Sequence, residues 1–398
     1  MAESLFKLGT LVAEGALSPT ELTIVEDFLS KMKNCTSTPL STSFSEHSTN
    51  LISRFPPEIL EHILHFLPPG DLKSAVAVCK NWNKIGGEPK LWSWAKISLE
   101  PDSTGPAFDF IKSTRGVRSL EATSLSTEET SYLMSSLAEC THLKELQLED
   151  CSMEKVAPSV LSSVVSNLNE LCLENLVMTD DQCAVLFSSL SKLSTLNVQE
   201  IDLSRVPSAL ITPAAKLTNL KLSSTLLTPE QTSLLWNAIG KEGNFSTLQL
   251  TGVNLGAVNP EALADTARSA LKIGFCNAGL TGEQTNAVAN ALAENTKIEE
   301  VDLSDNSLTN IDPALLARAV ARTKNLNLAN AELSSHQLKE ILEALLSHDC
   351  VMNEINLSAN EISMIDPDLM SKSLNKMTFV TLFDSNISVY QVWDQCFM

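Results

Sequence analysis

LKELQLEDCSM at residues 143–153 and LNELCLENLVM at residues 168–178 are two copies of an eleven-residue pattern that determines the fold of this chain. Apolar residues recur in the pattern at the first, fourth, sixth and eleventh positions. Five more clear copies begin at Leu193, Leu217, Phe245, Ile298 and Met352, and weaker copies centre on Leu120, Ile273, Leu326 and Val380. The central apolar residues lie 24 to 29 residues apart. Such a period is typical of architectures built from one supersecondary unit per repeat.

Two helix-start signals alternate between the repeats. Every other repeat has a proline 11 or 12 residues after its central position, where a helix can begin without losing a hydrogen bond: Pro158, Pro207, Pro260, Pro313 and Pro367. Asn259, Asp312 and Asp366 precede three of these prolines and are expected N-caps. The other repeats carry a capping box: Ser126/Glu129, Thr179/Gln182, Thr228/Gln231, Thr281/Gln284, Ser334/Gln337 and Ser388/Gln391. Each repeat is therefore predicted to contain a strand, a turn and a helix.

From residue 117 to residue 398 the chain resembles the leucine-rich-repeat family, and the alternation of two repeat types resembles its ribonuclease-inhibitor class. The resemblance implies an α/β solenoid shaped like a horseshoe, with parallel strands lining the concave face and helices on the convex face. The asparagine usual after the second leucine is kept only at Asn306 and Asn360. We therefore expect a weaker asparagine hydrogen-bond ladder than the family has, with the apolar register intact.

Negative charge is concentrated in the repeats. Residues 1–116 hold 13 acidic and 11 basic side chains, a net charge of −2, whereas residues 117–398 hold 35 and 17, a net charge of −18. Nucleic acid is a poor partner for this surface because phosphate binding needs clustered lysine and arginine. A basic protein fits better. Charge that serves solubility alone is the alternative interpretation.

Acidic side chains that alternate with the core leucines are the candidates for contact with a protein substrate. Glu145 and Glu170 alternate in this way and are expected to point outward. The candidate substrate-binding residues on the concave face are Glu149, Glu174, Glu200, Glu299, Glu300, Asp302 and Asp305.

The first 97 residues differ in character from the repeats. Residues 1–33 are predicted to be a helical segment, and residues 34–50 are a Ser/Thr-rich linker. Residues 51–97 contain short and strongly apolar helices, which bury too little surface to be stable alone. This apolar surface either packs on the repeats or docks a partner. The spacing from Trp94 to Leu99 repeats the leucine pattern, so the solenoid is predicted to span residues 98–398.

FPPEILEHILHFLPPGDLKSAVAVCKNWNKIGGEPKLWSWAKI at residues 55–97 closely resembles the F-box, a small all-α module, with Phe55 in place of the usual leucine. The resemblance implies binding to a Skp-family adaptor, which tethers F-box proteins to a cullin scaffold and a RING subunit. The matching residues that the resemblance assigns to adaptor contact are Pro56, Ile59, Leu60, Ile63, Leu64, Leu72, Trp82, Leu91 and Trp92.

Several classes of function are disfavoured by the residues present. The six histidines show no metal or catalytic-triad spacing, and phosphate-binding glycine loops are missing, so we expect no enzyme activity, cofactor or metal. The nine cysteines include no C-x-x-C pair, which disfavours a disulfide framework or a zinc site. A signal peptide and an apolar run long enough to span a membrane are not evident. The expected location is therefore the cytoplasm, the nucleus or both.

These observations predict a non-catalytic protein-binding chain. The F-box resemblance implies the substrate-recognition subunit of an SCF-type ubiquitin ligase, which recruits a protein for ubiquitination. The alternative is a stoichiometric inhibitor or scaffold that uses the acidic solenoid without a degradative role. An adaptor-bound scaffold that degrades nothing stays open as well.

Overall fold

The computed structural model describes residues 57–65, 67, 72, 75, 80–92, 96–101, 111, 116–242, 245–347, 352–362 and 364–383. The predictions for residues 1–33, for the linker at 34–50 and for the capping box at Ser388 lie outside this set. The chain divides into two compact units, one running to Glu121 and including Glu139–Leu143, the other comprising Ala122–Ala138 and the residues from Lys144 onward. The described helices are all too short or too polar to cross a membrane.

Short helices form the first unit, as the apolar pattern predicts. The described elements are α1 (Pro57–His65), α2 (Lys80–Gly86), α3 (Pro89–Trp92) and strand β1 (Lys96–Leu99). Leu60 and Leu64 lie one turn apart on α1 and are both buried, which is the spacing of an amphipathic helix. Strand β2 (Ser119–Thr123) begins in this unit and ends in the next.

Strands and helices alternate through the second unit. Its strands are β3 (Glu145–Glu149), β4 (Glu170–Glu174), β5 (Thr195–Gln199), β6 (Asn219–Ser223), β7 (Thr247–Thr251), β8 (Lys272–Gly274), β9 (Glu300–Asp302), β10 (Asn325–Asn327), β11 (Glu354–Asn356) and β12 (Phe379–Thr381). The helices are α4 (Thr127–Leu137), α5 (Pro158–Val165), α6 (Asp180–Ser188), α7 (Ser208–Ile211), α8 (Pro229–Glu242), α9 (Pro260–Ser269), α10 (Gly282–Glu294), α11 (Pro313–Val320), α12 (Ser335–Ser347) and α13 (Pro367–Leu374). Short 3₁₀ turns cover Leu190–Lys192 and Thr212–Lys216.

The strands β3 to β12 pair in parallel and in chain order. Their register confirms the repeat assignment, because the central residue of each repeat is the direct partner of the next one. The aligned row consists of Leu146, Leu171, Leu196, Leu220, Leu248, Ile273, Val301, Leu326, Ile355 and Val380. All but the half-buried Val380 are buried. Parallel strands joined by helices are the leucine-rich-repeat solenoid that the sequence predicts.

Both helix-start signals act as predicted, with one shift. The capping boxes at Ser126, Thr179 and Thr281 make both reciprocal hydrogen bonds. Pro158, Pro260, Pro313 and Pro367 occupy first-turn positions, and Asn259, Asp312 and Asp366 accept hydrogen bonds from backbone N–H groups of those turns. Pro207 is the exception, since it is the N-cap of the four-residue helix α7 and lies one position before the first turn.

The capping-box glutamines have a second role, which we did not predict. Gln284 Oε1 accepts a hydrogen bond from Thr281 N, and its Nε2 donates to the carbonyls of Leu255 and Val258 in the preceding repeat, at 2.8 and 2.6 Å. Gln182, Gln231 and Gln337 make the corresponding bonds. All four glutamines are buried. Within the described residues, the repeats of Pro158, Pro207, Pro260 and Pro313 are therefore each linked to the glutamine-type repeat that follows.

Candidate functional site

Six of the nine predicted adaptor residues form one apolar cluster in the first unit. Leu60, Leu64, Leu72, Trp82, Leu91 and Trp92 lie in it together with Leu67, Ala75 and Ile85. Trp92 Nε1 donates a hydrogen bond to the Gly86 carbonyl at 2.6 Å, which ties α3 to the end of α2. Pro56 lies outside the described residues, as do the side chains of Ile59 and Ile63.

The cluster is the interior of the helical unit. Trp82 is 3% exposed and Leu60 is 0% exposed, so neither side chain reaches solvent in this chain. Side chains that reach solvent on the described helices include His65, Lys80 and Lys84. The adaptor contact of the nine residues stays a prediction. Of the six in the cluster, Leu60, Leu64, Trp82, Leu91 and Trp92 pack the three helices against one another.

The face of the β3–β12 sheet that is turned away from the core is the second candidate surface. Buried and half-buried residues alternate along the strands, as in Glu145–Glu149 and Thr195–Gln199. The half-buried residues belong to this outer face. The predicted candidates Glu149, Glu174, Glu300 and Asp302 all lie on it, next to buried residues such as Val301 and Leu303.

The glutamate patch, which consists of Glu145, Glu149, Glu170 and Glu174, brings four carboxylates together on the adjacent strands β3 and β4. Glu145 is the register partner of Glu170, and Glu149 is that of Glu174. Neighbouring strands lie about 4.8 Å apart, and like charges directly opposite each other destabilise a sheet. Within the described part of the chain none of the four carboxylates forms an ion pair with lysine or arginine. Glu174 accepts a hydrogen bond from Gln199 Nε2 at 2.9 Å.

The acidic residues around β9 have partners instead. Glu300 forms an ion pair with Lys272 Nζ at 2.9 Å and accepts a hydrogen bond from Gln249 Nε2 at 2.9 Å. Glu299 pairs with Lys324 Nζ at 2.7 Å, and that hydrogen bond lowers the pKa of the Glu299 carboxyl. The sequence analysis named these glutamates as candidates without assigning lysine partners to them. The signal that was missed is register, since Lys272 and Glu300 occupy the same position in successive repeats.

The remaining candidates are bound into turns. Asp302 accepts hydrogen bonds from Ser304 N at 3.0 Å and from Ser304 Oγ at 2.6 Å. Glu200 and Asp305 follow their strands with φ of 55° and 57°, in the left-handed region. Asp305 accepts a hydrogen bond from Asn330 Nδ2 at 2.8 Å. The seven candidates therefore differ in their local setting, and their contact with a substrate stays a prediction.

Two described cysteines show how burial affects thiol reactivity. Burial raises the pKa of the Cys172 thiol on the outer face, and it raises the pKa of Cys183 to about 11. Both cysteines therefore stay protonated at neutral pH, and a thiol is a weak nucleophile. No group of three or more histidine, cysteine, aspartate or glutamate side chains is placed to hold a metal ion among the described residues.

Two kinds of similarity to known proteins were found, one to a family model and one to individual proteins. Residues 52–97 match the F-box-like family model. Ribonuclease inhibitor from Sus scrofa is 24% identical over 251 residues, which cover 58% of this chain and 54% of that protein. Human NACHT, LRR and PYD domains-containing protein 13 is 25% identical over 252 residues, covering 60% of this chain and 22% of the relative. Mouse ribonuclease inhibitor is 23% identical over 232 residues, covering 54% and 50%. The chain thus spans about half the length of the two inhibitors, and less of the third relative.

Two solved structures are similar at lower identity. The LRR protein LIC12759 of Leptospira interrogans is 16% identical, with a TM-score of 0.43 and coverage of 69% of this chain and 74% of that chain. A chain of the yeast Rad7 and Elc1 complex is 14% identical, with a TM-score of 0.45 and coverage of 93% and 94%.

Proposed function

Because this chain is an F-box and leucine-rich-repeat protein, we propose that it is the substrate-recognition subunit of an SCF-type ubiquitin ligase. The F-box-like match at residues 52–97 is the observation that carries the proposal. In this role the segment binds a Skp-family adaptor and, through it, a cullin–RING ligase. The leucine-rich repeats bind the protein that is to be ubiquitinated. In this proposal the chain acts by binding, and the transfer of ubiquitin belongs to the other subunits of the ligase.

The helical unit supports adaptor binding through its interior. The buried cluster around Trp82 and Trp92 fixes α1, α2 and α3 against one another. A preorganised surface binds with less loss of conformational entropy than a mobile one. The cluster residues therefore contribute to adaptor affinity by holding the surface in shape. Pro56, Ile59 and Ile63 are proposed to touch the adaptor.

The outer face of the sheet supports binding of a basic protein substrate. The glutamate patch brings four carboxylates together on two adjacent strands without a cationic partner within the described chain. Such a surface attracts positively charged proteins and raises their association rate.

The five free cysteines among the described residues support a reducing location, cytoplasmic or nuclear.

A stoichiometric inhibitor or scaffold is the second candidate function. Similarity to two ribonuclease inhibitors over more than half of this chain favours it. The F-box-like segment favours the ligase subunit, because an inhibitor has no need of an adaptor-binding module.

Affinity purification of the full chain from cells with an inhibited proteasome tests the ligase proposal. We expect a Skp-family adaptor, a cullin and the substrate to be recovered together. A matched sample without proteasome inhibition should contain less substrate and the same amount of adaptor. Recovery of a tightly bound partner without adaptor or cullin would support the inhibitor instead.

A further inference from the structure

Two contacts in the middle of the array reach past the neighbouring repeat. The glutamine links described above, such as that of Gln284, join adjacent repeats. Gln249 on β7, in contrast, donates a hydrogen bond to Glu300 on β9, and Trp236 in the β6 repeat contacts Phe275 in the β8 repeat. In a simple solenoid each repeat contacts only its neighbours. These two contacts therefore connect four successive repeats in an overlapping way.

A glycine on β8 makes the contact on the outer face possible. Gly274 is the register partner of Gln249 on β7 and of Asp302 on β9, and from β3 to β12 this row holds a side chain on every strand but β8. A Cβ atom at position 274 would lie 3.1 Å from Gln249 Cγ, closer than side chains normally pack. Because that atom is missing, Gln249 lies across β8, and its Nε2 reaches Glu300 Oε1 at 2.9 Å. Glycine usually weakens a strand, and here it creates room for a longer link.

The carboxylate of Glu300 binds to two strands at once. Its Oε1 accepts the hydrogen bond from Gln249 on β7, and its Oε2 accepts one from Lys272 Nζ on β8, each at 2.9 Å. A hydrogen bond to a charged group contributes more to stability than one between neutral groups. The strands β7, β8 and β9 are therefore held together on the outer face by a single side chain of β9.

The second contact lies in the core, between two buried aromatic rings. Trp236 on α8 and Phe275 after β8 lie edge to face, with ring centroids 5.8 Å apart. This arrangement stabilises a pair of rings beyond the burial of their surface. The β7 repeat comes between them in the array, and the buried residues of its helix α9 include the small side chains of Ala264 and Ala267. Two large rings therefore meet across a repeat that buries alanines on its helix.

We propose that the repeats from β6 to β9 form a locked block, which opens to solvent as one unit instead of repeat by repeat. The core contact joins β6 to β8 and the outer contact joins β7 to β9, so an end repeat cannot separate from the block without breaking one of them. The block keeps the outer face of β6–β9 in one shape for a bound protein, and a preorganised surface loses less entropy on binding. It does not depend on the proposed role in ubiquitination.

Hydrogen exchange on the full chain at increasing denaturant concentration tests the block with equivalent amides. Ser224 N, Gly252 N and Asn277 N each donate to the next repeat, at 2.9, 2.9 and 3.0 Å, across the three junctions within the block. Asp150 N and Asn175 N do the same outside the block, at 3.1 and 3.0 Å. Amides that open together lose protection with one common slope, which grows with the surface exposed.

In the wild-type chain we expect one common slope for the three amides of the block and smaller slopes for the two amides outside it. Three separate slopes within the block would overturn the proposal. One slope for all five amides would overturn it as well, because the array would then open as a whole.

Gln249→Met tests the outer contact, because methionine keeps the bulk of the side chain but cannot donate to the carboxylate on β9. The Asn277 amide should then exchange about tenfold faster than in wild type and Ser224 less so, as loss of a hydrogen bond to a charged group allows. Gln199→Met is the matched control, since Gln199 Nε2 donates at the same distance, 2.9 Å, to a glutamate of the adjacent repeat. It should leave both amides unchanged, and equal effects of the two variants on Asn277 would contradict the block.

Phe275→Leu tests the core contact with the residue that the neighbouring repeats have at this position, Leu250 and Leu303. Without the ring contact, the Ser224 amide should separate from Asn277 and take a smaller slope. If this variant or Gln249→Met lowers the melting temperature, the slopes of the wild-type chain decide alone. A common slope that persists in Phe275→Leu would show that the rings do not couple the repeats, and the block as proposed would fail.

Discussion

The outer face of the solenoid carries acidic residues at β3–β4 and again at β9, and the two regions differ in how that charge is held. At β3–β4 glutamate faces glutamate across the strands, at Glu145 and Glu170 and at Glu149 and Glu174. At β9 the register partner of Glu300 is Lys272, and the two side chains form an ion pair. Two stretches with similar composition therefore present different potentials to a partner.

The difference follows from the period of the repeat. In a parallel solenoid the neighbour of a strand residue lies one repeat away in sequence, so charges 25 to 28 residues apart decide the local field. Charges that are adjacent in sequence, such as Glu299 and Glu300, matter less to each other than their cross-strand partners do. The surface potential depends on register as well as on net charge.

The prediction with the largest expected effect concerns stability. It tests whether buried leucines anchor the two regions equally well in the core. Leu173 on β4 and Leu303 after β9 are both buried, at 0% and 2% exposure. Aspartate at either position would bury an unpaired charge, which costs about 3 kcal/mol or more. We expect Leu173→Asp and Leu303→Asp each to lower the denaturant midpoint strongly. A midpoint near the wild-type value for either variant would refute the register at that strand.

A second prediction sharpens the contrast in charge. Glu149→Lys with Glu174→Lys should weaken binding of a deca-lysine peptide about tenfold at low ionic strength, because reversing two of the four glutamates leaves the patch without net negative charge. Glu300→Lys with Asp302→Lys should have a smaller effect, since Glu300 is already paired with Lys272. Fluorescence anisotropy at two salt concentrations measures both. Equal losses in the two variants would show that the regions do not differ toward a cation.

A third prediction uses one type of substitution with opposite expected signs. Glu170→Gln removes a repulsion across the strands and should stabilise the chain by about 0.3 kcal/mol. Glu300→Gln removes an ion pair and should destabilise it by about 0.5 kcal/mol. Thermal unfolding of both variants beside wild type gives the two signs. Shifts of the same sign would show that the glutamates at β3–β4 and at β9 do not differ in how their charge affects stability.

Much of the fold could be predicted because apolar spacing is a local signal. The central leucines and the capping boxes each lie within a few residues of the features they create. The ion pair between Lys272 and Glu300 required the repeats to be aligned with one another. The second role of Gln284 could not be read from its capping box, since a glutamate there would cap as well but could not donate to Leu255 and Val258.

The helical unit shows a different limit of sequence reasoning. Apolar residues such as Leu60 and Trp82 fit an interior cluster and a docking surface equally well, because both environments exclude water. The structure places them in the interior. Residue type alone cannot separate those two roles in so small a unit.

The smallest expected effect concerns the pH dependence of the pair at Glu299. Its pKa is lowered chiefly by the hydrogen bond from Lys324, from an ordinary value of 4.5. A lowered pKa in the folded state contributes stability above the unfolded value, and that contribution is lost as the pH falls through the folded value. Lys324→Met should therefore be less stable than wild type at neutral pH, and the difference should close below about pH 4.5.

Lys241→Met, at the exposed end of α8, controls for the loss of one positive charge. NMR titration of the Glu299 carboxyl should give a higher pKa in Lys324→Met than in wild type. An unchanged titration would mean that the pair does not persist in solution, and the contrast with the glutamate patch would then rest on Lys272 and Glu300 alone.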